Sequence, residues 1–186
     1  METKLKILGL VGSIRAGSFN RALMRAAIEL LPEEAEIEVF EIAGIPPFNQ
    51  DFESNPPQIV KEFKAKIKAA DALLIVTPEY NYSVPGVLKN AIDFASRPNK
   101  DKVFDGKPVA IMSASTGKLG GARAQYHLRQ SFVFLNMHPI NSPEVMLAQA
   151  HQNFDENGRL TNEETRKLIR QLLEELLKWT KKLQKN

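Results

Sequence analysis

Lys6-Ile7-Leu8-Gly9-Leu10-Val11-Gly12-Ser13-Ile14-Arg15-Ala16-Gly17-Ser18-Phe19-Asn20 begins as a short apolar run, breaks into glycines, hydroxyls and one guanidinium, and then opens an amphipathic segment from Asn20 to Leu31. A run apolar at nearly every position fits a strand buried on both faces. The stretch therefore reads as strand, loop, helix. The same unit recurs along the chain. Further strands are expected at Glu36 to Glu41, Ala72 to Thr77, Pro108 to Ser113 and, more weakly, Met137 to Ile140. Helices are expected at Pro57 to Ala70, Gly86 to Ala95, Gly121 to Leu135 and Thr161 to about Leu183.

Strict alternation of this kind predicts an α/β fold: a doubly wound, five-stranded parallel sheet in the flavodoxin-like order 2-1-3-4-5, with helices on both faces. Ligands of such sheets sit beyond the carboxyl ends of the strands at the switch point, so site residues should follow strands one, three and four. With 186 residues and no repeat or linker, a single domain over 1–186 is expected. In the last helix Leu168, Ile169, Leu172, Leu173, Leu176 and Leu177 form a stripe that reads as core, and Thr161 with Glu164 reads as its capping box. The long irregular stretches Ala43 to Pro56 and Pro143 to Gly158 read as lids or as surface excursions.

Composition excludes several function classes. The 25 basic and 22 acidic residues leave a net charge of +3, and Lys178, Lys181, Lys182 and Lys185 at the C-terminal helix end account for it. A solvated helix end suits such cations, and no nucleic-acid partner is expected. Cysteine is absent, which removes disulfides, thiolate metal sites and a cysteine nucleophile, so redox chemistry would need a cofactor. His127, His138 and His151 lack metal-ligand spacing, and no G-x-S-x-G motif suggests a serine hydrolase. No metal is expected. The N-terminal run METKLKILGLVGS is too short for a signal peptide, and no apolar stretch approaches membrane-spanning length, so a cytoplasmic protein without a membrane partner is expected.

The loop after the first strand brings backbone amides and a positive helix end to one point, which makes it an anion site. Gly12 and Gly17 have Walker A spacing, but Ser18-Phe19 stands where Lys-Ser/Thr is required, and G-x-G-x-x-G is missing. What remains, Ser13, Ser18, Asn20 and Arg15, suits a terminal phosphate monoester such as that of FMN. Ser18 can instead serve only as the helix cap, with Arg15 solvated.

Two further loops carry chemistry. Thr77-Pro78-Glu79-Tyr80-Asn81-Tyr82-Ser83-Val84-Pro85-Gly86-Val87-Leu88-Lys89-Asn90 has prolines that stiffen it and an aromatic ring that offers a flat apolar surface, while Tyr82 also suits an interface. Ser113 to Gly121 (SASTGKLGG) joins strand to helix through glycines that allow close backbone approach. Together with GSIRAGSFN and SASTGKLGGARAQYHLRQ, the P-E-Y-N stretch resembles the NADPH-dependent FMN reductase family, over about Lys6 to Glu144. That resemblance implies FMN as bound cofactor and NADPH or NADH as co-substrate. It assigns the FMN phosphate to Ser13, Arg15, Ser18, Phe19 and Asn20, one side of the flavin ring to Pro78, Glu79, Tyr80 and Asn81, and its border to Ser115, Thr116 and Gly117.

The resemblance also implies a homodimer or homotetramer in which Arg123, Tyr126 and Glu144 reach toward a neighbour's active site. The bland alternative for the Arg123, Tyr126 and Arg129 spacing is a solvated helix face. Lys118 or Arg123 is a further candidate for the phosphate of the nicotinamide cofactor. No side-chain acid or base is required, since hydride would pass from NAD(P)H to FMN and on to an acceptor in ping-pong order. Small-molecule acceptors are expected: quinones, azo compounds, chromate or free flavin. The rival reading is a flavodoxin-type electron carrier without NAD(P)H reductase activity, against which the mildly basic charge counts.

Overall fold

The computed structural model describes residues 4–185. Its strands are β1 (Leu5–Val11), β2 (Ala35–Phe40), β3 (Ala72–Val76), β4 (Pro108–Ala114), β5 (His138–Pro139) and β6 (Val145–Leu147). The helices are α1 (Phe19–Glu29), α2 (Gln58–Ala69), α3 (Gly86–Ala95), α4 (Ala122–Leu135) and α5 (Glu163–Leu183). All strand pairs are parallel, in the order β2-β1-β3-β4-β5, as the alternation predicts.

The fifth position differs from the expected continuous strand at Met137 to Ile140. It is shared by two short strands. β5 pairs with Pro108 and Val109 at the start of β4, and β6 pairs with Met112 to Ala114 at its end. Pro139 has no N–H for a ladder, and Pro143 follows before pairing resumes, so the edge strand breaks there. Pro143 to Gly158, expected as a lid or excursion, thus carries a strand of the sheet.

The period of two along the strands divides the core. Ile7, Leu74, Val76, Ala110 and Met112 face α1 and α5, while Leu8, Leu10, Leu73, Ile75, Val109 and Ile111 face α2, α3 and α4. The α5 stripe packs as expected: Ile169, Leu172, Leu173, Leu176 and Leu177 are buried against the first face and Leu168 partly so. Burying each such side chain is worth about 1.5–3 kcal/mol, which is what holds this 21-residue helix on the sheet. Its cap corrects the expected Thr161/Glu164 box by one residue. Asn162 is the N-cap, accepting from the Thr165 amide at 2.8 Å, while the Thr161 amide donates to the Asn153 carbonyl. The other irregular stretch, 43–56, is pinned by Asn90, which accepts from the Phe48 amide at 2.7 Å and donates to the Pro46 carbonyl at 2.8 Å.

Candidate functional site

The first loop leaves β1 at the level of the sheet's carboxyl edge because Gly12 donates its amide to the Val76 carbonyl at 2.8 Å. A side chain could not sit there: a Cβ on Gly12 would lie 2.6 Å from Thr77 Oγ1. Beyond Gly12 the chain forms no ladder. Among the described residues, the amides of Ser13 through Phe19 find no hydrogen-bond partner, and neither does the Ser13 hydroxyl, although Ser13 is only 3% exposed. Unpartnered donors beside a helix N-terminus are an arrangement that suits an anion. Arg15 lies exposed on its rim, its guanidinium folded back toward Gly17.

Ser18 does cap α1, accepting from Asn20 and Arg21 amides at 3.2 and 3.4 Å. Both contacts are long, and the hydroxyl proton stays free to donate outward. Capping and anion contact are therefore compatible. Asn20 has a task its sequence position does not reveal. Its side chain donates to the Ala114 carbonyl and accepts from the Ala114 amide, both at 2.9 Å, pinning the first turn of α1 to the end of β4.

The loops after β1, β3 and β4 enclose a cavity of about 160 Å³. Ser13, Arg15, Ser18, Phe19 and Asn20 line it from the first loop, Pro78, Glu79 and Tyr80 from the second, and Ala114, Ser115 and Thr116 from the third. Asn81 and Gly117 adjoin this lining in the chain without forming part of it. Ala114, absent from the sequence expectation, becomes visible once β4 is extended by one residue, since the carboxyl end of a central strand is where such ligands sit. A larger hollow of about 420 Å³ near Phe104, Phe134 and Asn136 lies at the amino end of β4, away from these loops.

Tyr80 is 50% exposed and pairs with Ser83 through two main-chain hydrogen bonds of 3.1 and 2.9 Å. Asn81 and Tyr82 between them have φ of 49° and 62°, so the segment is a tight hairpin turn. Glu79 turns its carboxylate toward α4 and into hydrogen bonds with the amides of Arg123 and Ala124. The third loop is tied to the β6 region: the Ser115 amide donates to the Leu147 carbonyl, and Ser115 and Gly117 carbonyls accept from Ala150 and Gln149.

Arg123, Tyr126 and Glu144 find partners within the chain. Arg123 stacks over the Tyr82 ring with Cζ 3.8 Å from its centroid, and Tyr126 donates to Glu144 at 3.0 Å. Hydrogen bonding to the Glu144 carboxylate, and its charge, hold the Tyr126 phenol above its ordinary pKa. Burial lowers that of Arg129, whose guanidinium reaches the Ile140 carbonyl and Asn141. Lys118 is exposed on the third loop. Among the described residues no helix is long and apolar enough to cross a membrane.

Comparison with known proteins matches this arrangement to a family and to solved structures. The profile of NADPH-dependent FMN reductases matches residues 5–152. The chain is 52% identical over 184 residues to an NAD(P)H-dependent FMN reductase of Pseudomonas aeruginosa, covering 98% of this chain and 99% of the relative. It is 42% identical over 177 residues to a 2-hydroxy-1,4-benzoquinone reductase of Burkholderia sp, covering 95% and 97%. Among solved structures, the flavoenzyme NAD(P)H:(acceptor) oxidoreductase FerB of Paracoccus denitrificans superposes with a TM-score of 0.88 at 33% identity, covering 96% of this chain and 98% of that one.

Proposed function

Because the chain belongs to the NADPH-dependent FMN reductase family, and so is an oxidoreductase that uses FMN and NAD(P)H, we propose that it reduces small, flat, electron-poor acceptors, quinones foremost, in a ping-pong cycle. The observation that carries this reading is the cradle of unpartnered amides at Ser13 to Phe19, opening into a cleft between the hairpin of Tyr80 and the loop of Ser115 and Thr116. FMN, when bound, supplies the two-electron carrier between donor and acceptor.

The residues present fit it. The free amides, the Ser13 and Ser18 hydroxyls and the Arg15 guanidinium would hold a doubly charged phosphate by charge-assisted hydrogen bonds without a metal. Pro78, Tyr80 and Asn81 would flank one side of the ring, and Ser115, Thr116 and Gly117 its border, where hydroxyl and amide donors favour negative charge on the ring edge. Tyr80 is half exposed, so the cleft stays open beside it and a nicotinamide and then a quinone would reach the bound cofactor in turn. One stacking position visited alternately is what makes the cycle ping-pong. Azo compounds, chromate and free flavin are further acceptors of this reading, and a reductase fed by NAD(P)H works where that donor is regenerated, in the cytoplasm.

An anaerobic absorbance spectrum tests it. Purified protein is expected to carry a flavin band that bleaches with one equivalent of NADPH and returns with benzoquinone. A flavin that neither NADPH nor NADH bleaches would leave the electron-carrier reading, and no flavin binding would end the proposal. Exposed apolar side chains on α4 support assembly: Val133 and Phe134 are 83% and 70% exposed. Such apolar exposure suits a homodimer or homotetramer. Sedimentation at micromolar concentration should give more than one copy per particle, and a stable monomer would remove this part.

A further inference from the structure

Helix α4 begins at Gly121, an N-cap with φ of 91° and no side chain to offer. Its first amides nevertheless find acceptors. Ala122 donates to the Leu119 carbonyl at 3.1 Å and Gln125 to the Gly121 carbonyl at 3.2 Å. The two between them, Arg123 and Ala124, donate to a single oxygen of Glu79, at 2.9 and 3.2 Å, across 44 and 45 residues of chain. The other Glu79 oxygen accepts from the Arg123 guanidinium at 3.3 Å. A carboxylate at the positive end of a 14-residue helix is favoured by the macrodipole as well as by the hydrogen bonds.

Burial makes this contact consequential. The Glu79 side chain is 11% exposed and that of Arg123 42%, so the carboxylate is largely withdrawn from water and the guanidinium covers it. Arg123 in turn lies over the Tyr82 ring at 3.8 Å. A chain of contacts thus runs from the Glu79 carboxylate through Arg123 to Tyr82. It clamps the hairpin after β3 onto the helix that follows the loop after β4.

We propose that Glu79 is a positioning residue for the cleft: by capping α4 and holding Arg123 over Tyr82, it fixes the separation of the two loops, 78–81 and 115–117, between which a flat ring is held. This rests on the flavin reading above. Glu79 acts through the backbone and through Arg123 rather than by touching the reacting atoms. Breaking the clamp should loosen ring binding while leaving the phosphate cradle, which is built from another loop, in place.

Glu79→Gln keeps an oxygen acceptor and removes the charge; Glu79→Ala removes both. The test is an FMN titration of the apoproteins by flavin fluorescence, well below their melting temperatures, with hydrogen exchange at the Arg123 and Ala124 amides and steady-state kinetics with benzoquinone. Glu79→Gln should raise the FMN dissociation constant roughly tenfold and Glu79→Ala more, the scale of one charge-assisted hydrogen bond. Exchange protection at both amides should fall, and KM for benzoquinone should rise while kcat changes less than about threefold. Should Glu79→Ala fail to fold, Glu79→Gln still decides, since it retains the acceptor atom. Unchanged FMN and benzoquinone constants in a folded variant, whatever its melting temperature, would overturn the positioning role and leave the flavin reading standing. A wild-type chain that binds no FMN would overturn both.

Discussion

Asn20→Ala is expected to destabilise the fold by about 3 kcal/mol, because it strands a buried amide and a buried carbonyl at once. Both hydrogen bonds of the Asn20 side chain go to Ala114, at 2.9 Å each, and Asn20 and Ala114 are 3% and 2% exposed. With the side chain gone, only water entering from the cleft that Asn20 and Ala114 line could take over either partner. For a chain of this size the loss corresponds to a melting temperature lower by roughly 6–12 °C, readable by circular dichroism. Asn20→Asp separates this structural task from the anion site. Its carboxylate still accepts from the Ala114 amide, but it faces the Ala114 carbonyl with no proton to give and adds negative charge beside the phosphate cradle. An Asp in the first turn ordinarily helps a helix, so any such benefit opposes the repulsion and must be smaller for the prediction to hold. At equal loss of stability, Asn20→Asp should bind FMN more weakly than Asn20→Ala; equal affinities would detach Asn20 from the anion site.

The second large effect is expected at Gly120. Its φ is +59°, and a Cβ there would lie 2.5 and 2.6 Å from the carbonyl oxygen and carbon of Met146 and 3.0 Å from the Ala148 amide. All three are backbone atoms of the β6 region, so no side-chain rotation relieves the clash. Gly120→Ala combines a left-handed conformation, costing about 1–2 kcal/mol, with a forced shift of a strand segment, costing about 1–3 kcal/mol. Urea unfolding should show a loss of about 2–5 kcal/mol or no folded protein. The loop from Ser115 to Gly121 shares main-chain hydrogen bonds with 147–150, so a folded variant should also bind flavin poorly. Gly86→Ala is the control: nothing lies within 4 Å of a Cβ there, φ is not positive, and the residue opens α3. It should be neutral or slightly stabilising. Equal losses in the two variants would refute the steric account of Gly120.

Residue pattern alone was sufficient for the α/β class and the strand order, and the reason is local. Strands covered on both faces must be apolar at nearly every position, as Ile7 to Val11, Ala72 to Val76 and, Ser113 excepted, Pro108 to Ala114 are, and an amphipathic helix between each pair leaves few ways to wind the sheet. The proposed anion cradle is local too: one strand, a glycine-bounded turn and one helix start, within fifteen consecutive residues from Lys6 to Asn20. Edge geometry was less legible. The split of the fifth position into β5 and β6 depends on where the chain around Pro139 and Pro143 meets β4, whose paired residues lie 30 to 33 positions upstream. Sequence likewise named Asn20 and Glu79 as site residues but not what their polar atoms hold. Asn20 grips Ala114 from 94 positions away, and Glu79 caps a helix 44 positions on. Which groups such side chains satisfy is decided only when the sheet brings its carboxyl-edge loops together, because a buried polar atom takes the partner within reach, and reach is a property of the tertiary fold.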